Sequence, residues 1–408
     1  MPIRQRFKRS EPSQRLYGFV DGVVKADPER PRSRETLLLD CVDAKAFDVD
    51  PEAALRDESN LFLVRTTSTH RRWNEDLGLE TAAEGSWVEL RVRRSPGVPR
   101  AWIMPASAGY EAEGSTNTVS IAELEDDGEI TDGPIPAESP IGRRLRSHCR
   151  LNQDERRLID QRELESALQL AGGHVEVCAL DVGQASCTVI SIDGDPKVVF
   201  DAGAPLYRNN KSFKPRVTWP LPTSGAVIIS HWDFDHFDLG RRVPALRQLN
   251  WYAPYQPVGP NTLKFQRQLG SRLKFISGPF GGPFPGGAFL LEQGLSTLVK
   301  DRNGTGYCLR LQVGNAAVLL TGDADYAMIP PNLIGGVTHM TVPHHGGPCT
   351  LPPKPASGVG RAVISYGRPN GYRHPSLRTI GALSPNWDIH FTASHPGYPP
   401  RGDRLVFP

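Results

Sequence analysis

From Ser230 to His236 the chain reads Ser-His-Trp-Asp-Phe-Asp-His, so His231, Asp233, Asp235 and His236 fall within six positions. Two imidazoles and two carboxylates make a donor set for borderline to hard divalent cations. The apolar run Ala226-Val227-Ile228-Ile229 comes directly before them and reads as a buried strand. Packing does not explain four ionisable groups at the end of such a strand, because buried charge without a partner is costly. In an extended chain residues 231, 233 and 235 point one way, and His236 swings in as the chain turns. The chemistry this set suits is metal-dependent hydrolysis.

The elements that must hold these residues follow the same pattern. Val175–Leu180, Thr188–Ile192, Lys197–Phe200, Ala226–Ile229, Cys308–Val313, Ala316–Leu320, Met340–Val342 and Ala362–Ser365 read as strands. Nearly all end in Gly, Asp or His, as expected of a layered α/β sheet that delivers chemistry at its strand ends. Residues 152–170 read as a helix, with Leu158, Leu164, Leu168 and Leu170 partly on one face and Gly172-Gly173 as the stop. Upstream, five short strands are expected at 16–20, 35–39, 60–65, 86–92 and 100–104, which suggests a small, OB-like β-barrel or a sandwich. The domains expected are a β-rich unit over 1–109, an acidic linker over 110–150 and a hydrolase domain over 151–408.

Composition narrows the class. The chain has 408 residues, 38% hydrophobic and 23% charged, as in soluble globular proteins. No apolar run approaches the ~18 residues of a membrane span. The basic start, residues 1–10, has no apolar h-region. Six scattered cysteines without a CxxC fit a reducing cytoplasm and no disulfide framework. Residues 171–408 carry 22 Lys and Arg against 14 Asp and Glu, a net +8 inside a chain of net +2. That asymmetry favours an anionic partner, and Lys211, Lys214 and Arg216 form a basic stretch suited to phosphates.

Six segments in order resemble the metallo-β-lactamase fold, and more narrowly its competence-protein (ComEC-like) branch. They are Leu180-Asp-Val-Gly-Gln184, Val199-Phe-Asp-Ala-Gly203, His231-Trp-Asp-Phe-Asp-His236, Leu319-Leu-Thr-Gly-Asp323, Val342-Pro-His-His-Gly346 and Tyr372-Arg-His-Pro375. The resemblance implies an αββα sandwich with two divalent ions, zinc or manganese, with magnesium possible. No histidine lies between 236 and 339, so the usual intermediate histidine is missing, and His344 or His345 is placed to replace it. Neighbours on a strand end point opposite ways, so one would be a ligand and the other would face substrate.

The ligand set carried over puts one ion on His231, Asp233, His344 and Asp323. The other ion would use Asp235, His236, His374 and Asp323. Asp201 and Gln184 would support these ligands from behind. The resemblance also implies a water held between the ions and brought towards hydroxide at neutral pH. Asp235 would orient it, and His345 or Asn370 would stabilise the oxyanion or protonate the leaving group. Asp233, where the fold commonly has histidine, hardens its site towards Mn²⁺ or Mg²⁺. Ala185-Ser186 departs from the Gly-Asp usual in the competence branch.

The leading expectation is a phosphodiesterase or nuclease serving DNA processing or phage defence. A small-molecule hydrolase for a phosphoester, lactone or thioester is the second reading. A non-catalytic binding module stabilised by metal is the third.

Overall fold

The computed structural model describes residues 14–24, 35–68, 84–94, 100–108, 119–121, 133–152, 156–159, 161–168 and 172–408. The basic start and most of the acidic stretch, 110–118 and 122–132, lie outside the described residues. The chain divides into two compact units, Met1–Arg150 with Val258–Lys264, and Leu151–Pro257 with Phe265–Pro408.

The first unit is built on β1 (Gln14–Val24), β2 (Glu35–Asp43), β3 (Leu61–Ser68), β4 (Trp87–Arg94), β5 (Arg100–Pro105), β6 (Val119–Ile121) and β7 (Gly133–Pro134). All five strands expected before residue 106 are present. The order β1-β2-β3-β5-β6-β4 closes on itself through the β1–β4 pairing, and β7 is added to β4. Every pairing is antiparallel. Ring closure removes exposed strand edges. Leu16, Val20, Leu39, Val64, Val88 and Leu90 form its core. Among the described residues the ring holds six strands, one more than an OB-like barrel, because β6 inserts between β5 and β4. The stretch read as a linker thus supplies β6, β7 and the helix Pro140–His148.

The second unit holds β8 (Val175–Ala179), β9 (Cys187–Ile192), β10 (Asp195–Ala202), β11 (Ala226–Ile228), β12 (Asn250–Pro254), β13 (Leu273–Ile276), β14 (Phe280–Phe284) and β15 (Gly287–Gln293). It continues with β16 (Tyr307–Val313), β17 (Ala316–Leu320), β18 (His339–Thr341), β19 (Gly360–Ile364), β20 (Trp387–Phe391) and β21 (Arg404–Phe407). One sheet runs β13-β12-β11-β10-β9-β8-β21 and the other β14 to β20 in sequence order. β10 to β13 are parallel in the first sheet, and β17 to β20 in the second.

Period-two alternation places Val177, Ile190, Phe200 and Ile228 of one sheet against Leu309, Leu311 and Val318 of the other. The outer face of the second sheet packs Leu319, Met340 and Ala362 with the helix residues Leu333 and Leu383. Strands buried on both faces explain the unbroken apolar runs in the sequence.

Of the helix expected over 152–170, the described residues show Gln161–Leu168. Residues 157–159 join the sheet margin instead, with Phe275 N–H donating to Arg157 O at 2.7 Å and Ile159 N–H to Phe275 O at 3.0 Å. Leu158 is left largely exposed. Among the described residues no helix is long and apolar enough to cross a membrane, and all six cysteines are free.

Candidate metal centre

The C-terminal ends of the parallel strands deliver the ionisable residues. β10 ends on Asp201 and Ala202, β11 leads to His231, β17 to Asp323, β18 to the His344-His345 pair and β19 to Ser365. Close approach is secured by glycine. A Cβ on Gly203 would stand 1.7 Å from Asp235 O, so only glycine admits this contact. Gly322, at φ +54°, would place a Cβ 2.6 Å from Ser230 Oγ.

The heptapeptide is not extended. β11 stops at Ile228, and Phe234–Phe237 forms one helical turn, with His236 N–H donating to Asp233 O at 2.8 Å. Asp235 and His236 therefore reach the site from a helix turn, and the alternation expected from sequence does not operate.

Two groups of donors result among the described residues: His231, His236 and Asp323, and Asp235, His236 and His345. His236 Nε2 lies 3.1 Å from Asp323 Oδ1 and 4.0 Å from Asp235 Oδ1. His345 Nε2 lies 3.2 Å from Asp235 Oδ2. His231 and His236 have ring centroids 4.1 Å apart. The outer nitrogens of His231, His236 and His345 are buried and none makes a well-aligned hydrogen bond, but a carboxylate oxygen stands beside each, at 3.4, 3.1 and 3.2 Å.

The inner nitrogens are engaged. His236 Nδ1 meets Asp201 Oδ2 at 2.8 Å, His345 Nδ1 meets Ser365 O at 2.8 Å, and His231 Nδ1 meets Ser230 Oγ at 3.0 Å. Oriented rings whose outer nitrogens face carboxylates fit a divalent cation. His236 belongs to both groups, yet an imidazole nitrogen has one lone pair and serves one ion.

The electrostatics agree. Burial pulls His236 down, but Asp323 and Asp201 hold it well above the usual imidazole range. His345 is likewise raised against its burial by Asp323 and Asp235. Burial opposes the ionisation of Asp323, yet His236, His345 and His344 keep it well below the usual carboxylate range. Imidazoles and carboxylates thus favour each other's charged forms, and a cation binding here would take the place of any proton on its histidine ligands.

The remaining predicted residues divide. His345, not His344, is the buried member of the pair and stands in a donor group. His344 is half-exposed, with Nδ1 3.7 Å from Asp323 Oδ2. The structure thus brings His345, expected as the catalytic member, into a donor group and leaves His344, expected as the ligand, outside both. The physical cause is that both residues have positive φ, +51° and +53°, so the pair forms a turn and the strand-end alternation fails. His374 lies outside both groups, perpendicular to His344 at 5.3 Å and stacked on Tyr372 at 5.6 Å. Burial, His344 and His345 keep it well below the usual range.

Asp233 is also outside both groups. Its Oδ2 lies 3.4 Å from His231 Nε2 and its Oδ1 lies 2.8 Å from Arg302. Burial opposes its charge, but Arg302 and His231 bring its carboxyl down to about 2. Asn370 is engaged within its own loop. Its Nδ2 donates to Gly367 O and His374 O and its Oδ1 accepts from His374 N–H, so both ends are spent clasping one loop.

Asp201 accepts from Ser230 N–H at 2.7 Å as well as meeting His236. Gln184 is fully buried, and its Oε1 accepts from Gly367 N–H at 3.2 Å. Lys211 and Lys214 are exposed. Arg216 is bound to Asp403, with one contact at 2.7 Å, and donates to Asp181 O, so its guanidinium is engaged within the chain. Asp403 also accepts from Asp181 N–H at 2.8 Å, and the Asp181 carboxylate pairs with Arg401. The opening motif is thereby clamped by residues just before β21.

Sequence reasoning missed Arg302, Ser230 and Ser365. Ser365 links the first motif to the site, since its hydroxyl donates to Ala185 O at 2.8 Å and its carbonyl receives His345. Only its position after an apolar strand marked it.

Two face-packed mixed sheets that present a His/Asp cluster at their strand ends define a metal-dependent, hydrolase-type α/β domain. Residues 180–351 match the family model of the metallo-beta-lactamase superfamily, so the chain carries a domain of that superfamily. No curated protein matches the chain. Among solved structures it is similar to the metallo-beta-lactamase fold protein YhfI from Bacillus subtilis, at 13% identity and TM-score 0.35, covering 56% of this chain and 99% of that one. It is also similar to Zn(2+)-bound PqqB from Methylobacterium extorquens, at 13% identity and TM-score 0.32, covering 53% and 97%.

Proposed function

We propose that this chain is a phosphodiesterase acting on nucleic acid, within the broad class of metal-dependent hydrolases to which its superfamily domain points. The observation that carries the hydrolase reading is the gathering of three buried imidazoles, His231, His236 and His345, with the carboxylates of Asp235 and Asp323. His231, His236 and Asp323 would hold one divalent ion, with Asp235 and His345 as the neighbouring donors. Such an ion lowers the pKa of water towards about 7 and polarises a phosphoryl oxygen.

The rest is done by the chain's own groups. Asp235 is partly exposed and can accept a hydrogen bond from the attacking water, fixing its direction. His344 stands half-exposed beside Asp323 and is placed to give a proton to the leaving oxygen. The +8 balance of residues 171–408 and the exposed Lys211 and Lys214 favour a polyanion. The order of the six motifs supports the competence-protein-like branch. Zinc or manganese suits this His/Asp set, with magnesium as the harder alternative. A cytoplasmic setting is consistent with six free cysteines.

The test is cleavage of single- and double-stranded DNA and RNA under Mn²⁺, Mg²⁺ and Zn²⁺, against His236→Ala and Asp323→Asn. Cleavage by wild type alone supports the proposal. Equal cleavage by the variants, or turnover of only a lactone or a small phosphodiester, rejects it.

A further inference from the structure

We infer that the chain has a second ligand site, at the end of the second sheet away from the metal centre, which binds a phosphate monoester the size of a nucleoside monophosphate. The inference does not rest on the metal-site reading. The metal-type donors follow the C-terminal ends of their strands. At the other end, where β17 begins at Ala316, β18 at His339 and β19 at Gly360, lies a cavity of about 420 Å³. Small-molecule sites run to roughly 300–1,000 Å³, and an inorganic phosphate alone would leave most of this one unfilled.

One row of residues supplies its chemistry. His339, Arg361 and Asp388 are register partners on β18, β19 and β20, so their side chains leave the sheet on one face. All three line the cavity, together with Asn315, Ser357 and Val359.

Arg361 is half-buried, and among the described residues its guanidinium makes no hydrogen bond or ion pair. Neighbouring strand residues of opposite charge usually attract one another, yet Asp388 pairs instead with His390, Oδ2 to Nε2 at 2.8 Å. The charge of Arg361 is felt nearby, because burial and then Arg361 hold His339 below the usual imidazole range. His339 Nδ1 lies 2.9 Å from Thr338 Oγ1, which leaves Nε2 for a ligand.

A guanidinium offers a planar fork of donors that matches phosphate oxygens. A carboxylate only accepts, so Asp388 suits the hydroxyl and amino hydrogens of a nucleoside. The row therefore selects a ligand with an anionic end and a donor-rich end, since Asp388 would repel an anion that had nothing to donate. Ser357 and Asn315 add polar partners at the rim, and Val359, 70% exposed, gives an apolar wall.

The experiment is calorimetric titration of the full-length chain, held in excess chelator, with the four ribonucleoside 5′-monophosphates. Inorganic phosphate, adenosine and L-serine are the controls. At least one nucleotide is expected to bind saturably, and each control at least tenfold more weakly. Arg361→Met should weaken nucleotide binding about tenfold or more. Asp388→Asn should weaken the nucleotide and not inorganic phosphate. Val359→Trp, at an exposed position, should block the cavity without touching a charge, and it carries the test should Arg361→Met fail to fold. Loss of nucleotide binding in Arg361→Met or Val359→Trp supports the inference. No nucleotide binding, binding that both variants leave unchanged, or a control that binds as tightly as the nucleotides overturns it. Metal content and cleavage under Mn²⁺ are read separately, so either result leaves the metal-site reading to its own test.

Discussion

Asp201 grips His236 from behind: the carboxylate oxygen lies 2.8 Å from the ring Nδ1, and both side chains are fully buried. The contact fixes the tautomer and aims Nε2 at Asp323. Asp201→Asn keeps the shape but weakens the grip. Metal affinity measured by dialysis should fall about 10- to 100-fold. An unchanged affinity would show that Asp201 serves only the fold.

The His344-His345 pair gives a sharper contrast. His345 is buried against Asp235, while His344 looks outward beside His374. His345→Ala should lower bound metal per chain, as elemental analysis reads it. His344→Ala should leave metal content near wild type and lower kcat, by about 10- to 1000-fold if His344 moves a proton. If His344→Ala strips the metal and His345→Ala does not, the assignment drawn from burial is wrong.

The basic stretch makes a salt-dependent prediction. Lys211 and Lys214 are exposed, whereas Arg216 is paired with Asp403. The Lys211→Ala, Lys214→Ala double variant should reduce the slope of log K against log salt for DNA by about 1 to 2. Arg216→Ala should lower the melting temperature and leave that slope alone. The reverse pattern would restore Arg216 as a phosphate contact.

Asp40 sets a pH dependence in the first unit. Burial pushes its carboxyl up to about 6, although Asn261 and Thr262 pull it partly back. The folded state then holds a proton between about pH 4 and 6 that the unfolded chain has released. Stability from this group is full below about pH 4 and is lost as pH rises through about 6, a change on the order of 3 kcal/mol. The stability advantage of wild type over Asp40→Asn should therefore shrink from pH 4 to pH 7 in denaturant titrations. A difference flat with pH would contradict this.

How far the sequence foretold this centre depends on the range of the interaction. Apolar runs ending in His or Asp mark β10, β11 and β17, because strand burial and donor chemistry are both local signals. β14, Phe-Gly-Gly-Pro-Phe, carries no strand-like composition and forms through its antiparallel pairing with β15. The ion pairs of Arg216 with Asp403 and of Arg302 with Asp233 join residues far apart in the chain. Charge counting saw Arg216 as a free cation and gave no signal for Arg302. The adjacent histidines defeated pattern reasoning because two positive φ angles replace a strand end with a turn.

The clamp of Arg401 on Asp181, with β21 laid against β8, gives the domain an order of assembly during synthesis. Every metal-type donor has been made once His345 emerges from the ribosome. The Asp181 end of loop 181–186, the loop that backs Asp235 and Ser365, gains its Arg401 and Asp403 partners only when those residues arrive. A nascent chain therefore holds its donors before Asp181, in the motif behind them, has its partners.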